Sequence, residues 1–378
     1  MNILVAGDFC PQHRVAKLFD EGKFADVLGE VKPIVEQADY AIVNFECPVT
    51  NGEQHPIEKC GPNHTCSVAG VKAAKWVGFN AVTLANNHFR DFGDDGIKLT
   101  LNACKENGLD VVGGGMNLDS ASQILFKKLN GNTLAIINVC EHEFSIADEN
   151  HAGSNPLNPI KQYYDIKEAR QHADIVLVIV HGGIEYCQYP SLRMKETYRF
   201  FVDAGADAVV NHHQHCYSGY EIYRGKPIFY GLGNFCFDKP IRMRDVWYEG
   251  YMVCIDFTDL SCISIKTLPY RQCDSDAKVI MNDEYQTKKF ERQLAKINNI
   301  IADDMRLAEE MEKHTSSKEL DYKFMFSPWS RRYTIAAYNR GILPNVTSRK
   351  KLLLFLNYLV CDSHRENLIR ILRKILLN

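Results

Sequence analysis

The sequence lacks any apolar stretch approaching the roughly 20 residues that a membrane-spanning helix needs. It also lacks a signal-peptide pattern, because residues 1–8 contain neither a basic segment nor a cleavage site. No excess of one charge is present: the formal net charge of -3 gives no general attraction to nucleic acid or to an anionic membrane. We therefore expect a globular cytoplasmic protein that does not bind nucleic acid.

Cysteines at metal-binding or redox spacing are missing as well. The 13 cysteines are odd in number, scattered, and contain no Cys-x-x-Cys motif. Several of them, such as Cys104, Cys140, Cys236 and Cys254, fall inside apolar runs, where cysteine behaves as a small buried hydrophobic residue. We therefore expect free thiols in a reducing compartment rather than a disulfide framework.

What the sequence does contain is a series of short apolar runs that end in polar clusters. The runs are rich in Val and Ile and are bounded by Gly or Asn, which predicts buried strands. They occupy residues 2–6, 41–43, 81–84, 175–180, 208–210 and 227–230. In layered α/β proteins, ligands bind at the loops that follow the carboxyl ends of such strands. The polar clusters are therefore expected to line one site.

The polar clusters carry side chains that bind divalent metals. The candidate ligands are Asp8, Glu46, Asn87, His181, His213 and His215. Carboxylate, amide oxygen and imidazole together suit Zn, Mn or Fe. Two such ions about 4 Å apart, bridged by a carboxylate, produce a nucleophile at neutral pH. We predict one or two ions per chain, with Asp8 as a terminal ligand, Glu46 as the bridge, and His213 and His215 on one face of an extended segment.

Each candidate also has a purely structural explanation. Asp8 could be a helix N-cap, Glu46 a solvated loop residue, and Asn87 a turn former. Their joint occurrence at successive strand ends favours the metal site. A nearby group of carboxylates is instead predicted to cap the following helix; it consists of Asp91, Asp94 and Asp95.

Three further residues are candidates for contact with a substrate or for proton transfer. His88 follows Asn87 and would be free to donate a proton to a leaving group. Glu185 is either a partner that holds His181 in place or an acid/base group. His64 is either a substrate contact or an ordinary loop histidine.

Residues 1–272 alternate apolar runs with helical patterns, which predicts right-handed crossovers and a largely parallel centre. Crossover helices are expected between residues 8 and 40, at 96–107 and at 195–203. The runs at 251–257 and 262–268 have no helix between them and predict antiparallel strands. The expected architecture is a sheet sandwich with outer helices.

Residues 273–378 predict a helical extension. The charged segment 284–313 indicates one long helix, and segments 350–360 and 366–377 have apolar residues at helical spacing. The favoured interpretation is that these helices pack on the core or on a second copy of the chain, giving a homo-oligomer. The alternative is a peripheral membrane anchor that uses basic side chains, namely Arg365, Arg370, Arg373 and Lys374.

At the same strand ends the sequence resembles the CapA family of bacterial capsule and poly-gamma-glutamate synthesis proteins. The resemblance lies in the motifs at residues 7–8, 44–46, 84–93, 181–186, 205–215 and 231–235, and it covers roughly residues 1–245. It implies a calcineurin-like metallophosphoesterase fold, which is a four-layer αββα sandwich. It also implies a role that accompanies the synthesis of capsule, poly-gamma-glutamate or another exopolysaccharide.

The sequence departs from the pattern that the resemblance implies. Phe9-Cys10 follows Asp8 where metallophosphoesterases have x-His, so one metal site is expected to be weak or filled by another residue. Gly182 and Gln214 stand where the family usually has Trp and Pro, which is expected to widen the pocket.

Two classes of function follow from these residues and the resemblance. The first is a hydrolase that uses a metal-bound hydroxide on a phosphoester or a gamma-glutamyl-type amide of a small-molecule or polymer substrate. The second is a non-catalytic accessory or scaffold protein of a capsular polysaccharide assembly system. The largely complete set of ligands favours the hydrolase.

Overall fold

A computed structural model of the chain describes residues 1–258, 263–323, 332–343 and 348–376. The strands are β1 (Asn2–Cys10), β2 (Tyr40–Phe45), β3 (Ala81–Thr83), β4 (Asp110–Val112), β5 (Gly114–Gly115), β6 (Leu125–Leu129), β7 (Asn132–Cys140), β8 (Gly153–Ser154), β9 (Ile175–His181), β10 (Ala208–His212), β11 (Tyr220–Tyr223), β12 (Lys226–Phe229), β13 (Asn234–Phe237), β14 (Glu249–Asp256), β15 (Ser264–Gln272) and β16 (Val279–Met281). The helices are α1 (His13–Asp20), α2 (Phe24–Leu28), α3 (Lys32–Val35), α4 (Val68–Val77), α5 (Gly93–Glu106), α6 (Leu118–Ala121), α7 (Pro159–His172), α8 (Leu192–Ala204), α9 (Asp245–Tyr248), α10 (Glu284–Ile301), α11 (Asp304–Lys323), α12 (Arg332–Asn339), α13 (Arg349–Val360) and α14 (Asp362–Leu376).

The larger sheet has the strand order β16-β15-β14-β1-β2-β3-β4, and β13 pairs with the end of β1. Strands β1 to β4 and β13 pair in parallel. Strands β14, β15 and β16 add an antiparallel edge. The predicted parallel centre and antiparallel finish are confirmed for the described residues; residues 259–262, at the start of one predicted strand, lie outside them.

The smaller sheet has the order β11-β12-β10-β9-β7-β6. Its central strands β7, β9, β10 and β12 are parallel. Every residue of β9 and β10 is buried, which is why both strands read as continuous apolar runs rather than as an alternating pattern.

The two sheets lie against each other, and helices cover their outer faces. The ring of His212 in β10 lies 3.0 Å from the backbone oxygen of Ala6 in β1, so it joins the sheets directly. Helices α1, α2 and α4 share one hydrophobic core with β1 and β2, and α7 and α8 contact β7, β9 and β10. The predicted four-layer αββα sandwich is confirmed.

Local sequence signals set most helix boundaries. Helix α8 begins where the Ser191 side chain accepts a hydrogen bond from Met194 N, and it ends at Gly205, whose φ of 126° suits glycine. The predicted single helix at 284–313 is wrong, because the chain breaks between α10 and α11. There the Asp303 carboxylate accepts hydrogen bonds from the backbone of Met305 and Arg306 and starts a new helix.

The chain forms two compact units, Met1–Ala308 and Glu309–Asn378. The first extends past the boundary that the sequence suggested at residue 272, because β16 pairs with β15 and the α10 side chains Phe290, Leu294 and Ile297 are buried. In the second, α13 contacts α14. The side chains of Arg370, Arg373 and Lys374 lie outside the described residues. Within the described ranges, no helix combines the length and the apolar character needed to cross a membrane.

Candidate metal centre

The predicted ligands converge because parallel strands of both sheets end at the same place. Asp8 lies in β1, Glu46 directly follows β2, and His181 is the last residue of β9. Register places Asp8 beside Asn44 of β2 and beside Asn234 of β13. Because the two sheets face each other, carboxylates from one meet imidazoles from the other.

The backbones of β1 and of the residue before β13 are in close contact next to Asp8. A Cβ on Gly7 would lie 1.9 Å from the backbone oxygen of Gly233, so only glycine fits there. The contact lets Asp8 N donate a hydrogen bond to Gly233 O at 3.1 Å. This contact is the physical reason why glycine precedes Asp8.

Backbone conformation brings in the two histidines that follow β10. His213 has φ 98° and His215 has φ 53°, both in the left-handed region that most residues avoid. Such conformations cost about 1–3 kcal/mol each and cluster at functional sites. The expectation of an extended segment is therefore wrong, because two left-handed residues flanking Gln214 turn both rings toward the centre.

Two sets of donor atoms share Glu46. One set is Glu46, His181 and His213, the other is Asp8, Glu46 and His215, and the donor atoms within each set lie within 4.8 Å of one another. Glu46 Oε1 lies 3.6 Å from His181 Nε2 and 3.6 Å from His215 Nε2. Glu46 therefore belongs to both donor sets, and its role as a bridge between two ions stays a prediction.

Asn87 joins the first of these sets. Its Oδ1 lies 3.0 Å from His181 Nε2, and His213 Nδ1 lies 3.1 Å from the same nitrogen. Three potential ligand atoms thus meet around one point. All six predicted ligands are brought together, and all are buried.

The unpartnered atoms of Glu46 support metal binding. Both of its carboxylate oxygens are buried, and neither has a hydrogen-bond partner among the described residues. Burial, followed by the nearby charge of Asp8, raises the pKa of Glu46 well above its usual value. Isolated buried charge is costly, and a divalent ion supplies the missing partner. The donor set fits Zn, Mn or Fe.

The electrostatics of the other ligands agree with this assignment. Burial, followed by the neighbouring imidazole of His213, lowers the pKa of His181 well below its usual value. Burial and His215 likewise lower the pKa of His213. Burial opposes ionisation of Asp8, but the hydrogen bond to His215 and the nearby His212 outweigh it and lower the pKa of Asp8. Neutral imidazoles and an ionised carboxylate are the forms that bind metal.

Two asparagines hold the ligands in place. Asn44 donates a hydrogen bond to Asp8 Oδ1 at 2.7 Å, and its Nδ2 lies 3.2 Å from His181 Nδ1. Asn234 Oδ1 lies 3.0 Å from His215 Nδ1, which directs the Nε2 of that ring toward Glu46. Both asparagines lie in segments that carry the resemblance, at residues 44–46 and 231–235. The available signal for Asn44 was a polar side chain inside the buried strand β2, two residues before Glu46.

His88 lies beside this centre in a network of its own. Its Nδ1 lies 2.7 Å from Asp91 Oδ2, and Lys59 Nζ forms an ion pair with the same carboxylate. Asp91 also accepts a hydrogen bond from His64 N at 2.6 Å, and the His64 ring centroid lies 4.3 Å from that of His88. The expectation that Asp91 caps α5 is therefore wrong; it orients His88, while Phe92 stands at the N-cap without a side-chain hydrogen bond.

Glu185 differs from the other candidates because it is exposed. His181 contacts Asn44, Asn87, His213 and Glu46, and none of its described contacts involves Glu185. A role in holding His181 therefore has no support in these contacts. The carboxylate is near enough for its charge to act on Glu46, and its acid/base role remains a prediction.

The departures from the family pattern have structural outcomes. Cys10 stands where the histidine is missing; burial raises the pKa of its thiol, and neither donor set includes it. The expected widening at Gly182 is not found. A Cβ there would lie 2.7 Å from Glu141 Cγ, because the Glu141 side chain fills the space.

Comparison with known proteins places this site in a family. The model of the family described as bacterial capsule synthesis protein PGA_cap matches residues 2–239. The chain belongs to this family. The predicted membership is thereby confirmed, and the matched segment contains every candidate ligand of the metal centre.

Individual relatives share this segment. The chain is 34% identical over 247 residues to the capsule biosynthesis protein CapA of Bacillus anthracis, covering 63% of this chain and 60% of the relative. It is 36% identical over 244 residues to the PGA biosynthesis protein CapA of Bacillus subtilis (strain 168), covering 63% and 64%. The chain thus spans less than two thirds of the length of either relative. A crystal structure described as a novel phosphatase from Mycoplasma pneumoniae is 15% identical, with a TM-score of 0.46 over 78% of this chain and 98% of that one.

Proposed function

We propose that the chain is a metal-dependent hydrolase acting in the biosynthesis of capsule, poly-gamma-glutamate or a related exopolysaccharide. Its substrate is a small molecule or polymer that contains a phosphoester or a gamma-glutamyl-type amide. The observation that carries the proposal is the buried carboxylate of Glu46, shared by two donor sets and without a hydrogen bond among the described residues. A binding scaffold has no need for such an arrangement, whereas hydrolysis by two ions depends on it.

The residues that would hold the ions divide into two groups. His181, His213 and Asn87 belong to one ion, Asp8 and His215 belong to the other, and Glu46 belongs to both. Ions bound there would act as Lewis acids on the substrate and lower the pKa of water. The bridging role of Glu46 keeps the two positions close enough to act on one bond.

His88 is placed to complete the reaction. Hydrolysis breaks the bond to a leaving oxygen or nitrogen, which needs a proton. Because His88 Nδ1 faces Asp91, the proton would come from Nε2. In the protein alone, burial and the charge of Lys59 lower the pKa of His88 well below its usual value. A bound anionic substrate would raise it again and so favour the charged imidazolium that can donate.

Metal analysis tests the proposal most directly. Protein purified without chelators should contain at least one equivalent of Mn, Fe or Zn per chain, and His213→Ala should lower that content. Activity with added Mn should then be screened against phosphodiesters, sugar phosphates and gamma-glutamyl peptides. Protein that neither contains nor binds these metals would refute the hydrolase and favour the scaffold function.

A further inference from the structure

A lysine side chain lies beside the metal centre on two aromatic rings. The Nζ of Lys239 is 4.3 Å from the ring centroid of Phe237 and 5.2 Å from that of Trp247. Both rings are buried, and each lies 5.2 Å from the ring of His215. The ammonium group is therefore one aromatic ring away from a predicted metal ligand.

Lys239 is a half-buried cation. Among the carboxylates that the structure describes, none forms an ion pair with it. Lys59, the other lysine close to His88, is neutralised by Asp91. A partly buried cation without a counter-ion is costly unless a ligand supplies the charge.

The charge of Lys239 reaches the reaction centre. It acts on Glu46, His64 and His88, and burial lowers the pKa of Lys239 itself. Glu185 also acts on Lys239 through its charge, but Glu185 is exposed and water screens it. The positive charge therefore remains available to an anion that enters from the solvent.

Lys239 also lines a cavity of about 480 Å³. Two of the other cations that line it are bonded: Arg14 donates to Asp238 through Nε and Nη2, and Arg242 pairs with Asp274. Lys17 lines the cavity as well. Lys239 differs from these cations because its Nζ also contacts the two rings that lie against His215, and the cavity leaves space beside it for part of a substrate.

We propose that Lys239 binds an oxyanion of the substrate that flanks the bond being hydrolysed. The inference rests on the proposed function and narrows its substrate class to molecules with a second anionic group about one ring's width from the scissile bond. Both substrate types considered above can provide it: a gamma-linked glutamate peptide has a free α-carboxylate beside each amide, and a bisphosphate has a second phosphate. The Phe237 and Trp247 rings hold the ammonium in place through cation–π contact.

The test is equilibrium binding to Mn-loaded protein, measured by calorimetry. In one arm, gamma-glutamyl-glutamate is compared with its α-carboxamide analogue; in the other, glucose 1,6-bisphosphate is compared with glucose 1-phosphate. Lys239→Met keeps a long apolar side chain over the rings but removes the charge. We expect it to weaken binding of the doubly anionic ligand about tenfold in one arm, as loss of a charge-assisted contact predicts, while the analogue is unaffected.

Lys239→Arg should keep most of the preference, and the metal content of both variants should equal that of the wild type. Lys72→Met, which removes one exposed charge from α4, is the matched control. If only the gamma-glutamyl ligand binds more weakly to Lys239→Met, the anionic group that Lys239 binds is a carboxylate. If only the bisphosphate does so, that group is a phosphate. Unchanged binding in both arms, or an equal loss in Lys72→Met, would overturn the proposal. Because binding is measured without turnover, a protein that hydrolyses nothing would refute the proposed function while leaving this test intact.

Discussion

Replacing Glu46 with glutamine should separate the stability of the metal-free protein from that of the metal-bound protein. The substitution keeps the size of the side chain and removes its charge. In the metal-free protein Glu46 has a raised pKa, so the wild-type fold loses stability as pH rises from the unfolded value of 4.5 toward the folded value. Glutamine carries no such penalty. Metal-free Glu46→Gln should therefore be at least as stable as the wild type at pH 7.

When metal is bound, the wild type should be more stable than Glu46→Gln. A ligand present at 100 times its Kd stabilises a protein by about 2.7 kcal/mol. Glu46 belongs to both donor sets, so glutamine weakens both positions. Even a tenfold weakening removes about 1.4 kcal/mol per ion. At about 2–4 °C per kcal/mol, each ion bound in excess Mn should raise the wild-type Tm by about 5–10 °C, and the Tm of the variant should rise by clearly less.

Thermal unfolding by calorimetry, with chelator and with excess Mn, measures both effects, and elemental analysis counts the ions. Glu141→Gln is the control, because Glu141 lies at the end of a neighbouring strand, pairs with Arg193 and belongs to neither donor set. The reasoning is refuted if Glu46→Gln binds two ions as tightly as the wild type. It is also refuted if the metal-free variant is destabilised by several kcal/mol, since that would give the carboxylate a structural role.

Three other outcomes follow from the structure. His88→Ala should reduce turnover by a factor of about 10² to 10⁴ while the metal content stays constant, and loss of metal along with activity would make His88 a ligand instead. The metal-free protein should lose stability as pH falls below 6.5, because histidines of the unfolded chain then bind protons while the buried histidines of the folded protein stay neutral. Each such histidine lowers the free energy of unfolding by about 1.4 kcal/mol per pH unit. The histidines with lowered pKa are His64, His88, His181 and His213, and they outnumber the acids with raised pKa at the centre, Glu46 and Asp91. Melting curves in chelator from pH 8 to 5 that show no such loss would contradict this. Truncation after Leu343 should give an insoluble or dissociated protein that keeps its metal site, since Leu352, Leu356 and Leu372 are exposed on α13 and α14 and need a protein partner. A truncated chain of unchanged oligomeric state, together with full-length protein that floats with anionic liposomes, would favour the membrane anchor.

Residue type and pattern alone predict most of the strands and the chemistry at their ends. Fully buried parallel strands must be apolar throughout, so β9 and β10 are visible as continuous runs. Since parallel strands expose their carboxyl ends on one side, the residues after them were expected to meet. All six predicted metal ligands do so. The left-handed conformation of His213 and His215 was not predictable, because many contacts of the surrounding fold are needed to impose it.

The partners of each charged side chain could not be predicted from the sequence, because they come from distant segments. Asp91 looked like a helix cap because local sequence favours capping, but Lys59, 32 residues earlier in the chain, and His88 compete for its carboxylate and prevail. The sharing of Glu46 by two donor sets depends on the packing of one sheet against the other, which no local pattern encodes. No local pattern predicts that Lys239 lies on two aromatic rings near the centre, outside the ion pairs of the described residues. Periodicity and residue type are local properties, whereas charge pairing and metal geometry arise from contacts between distant segments.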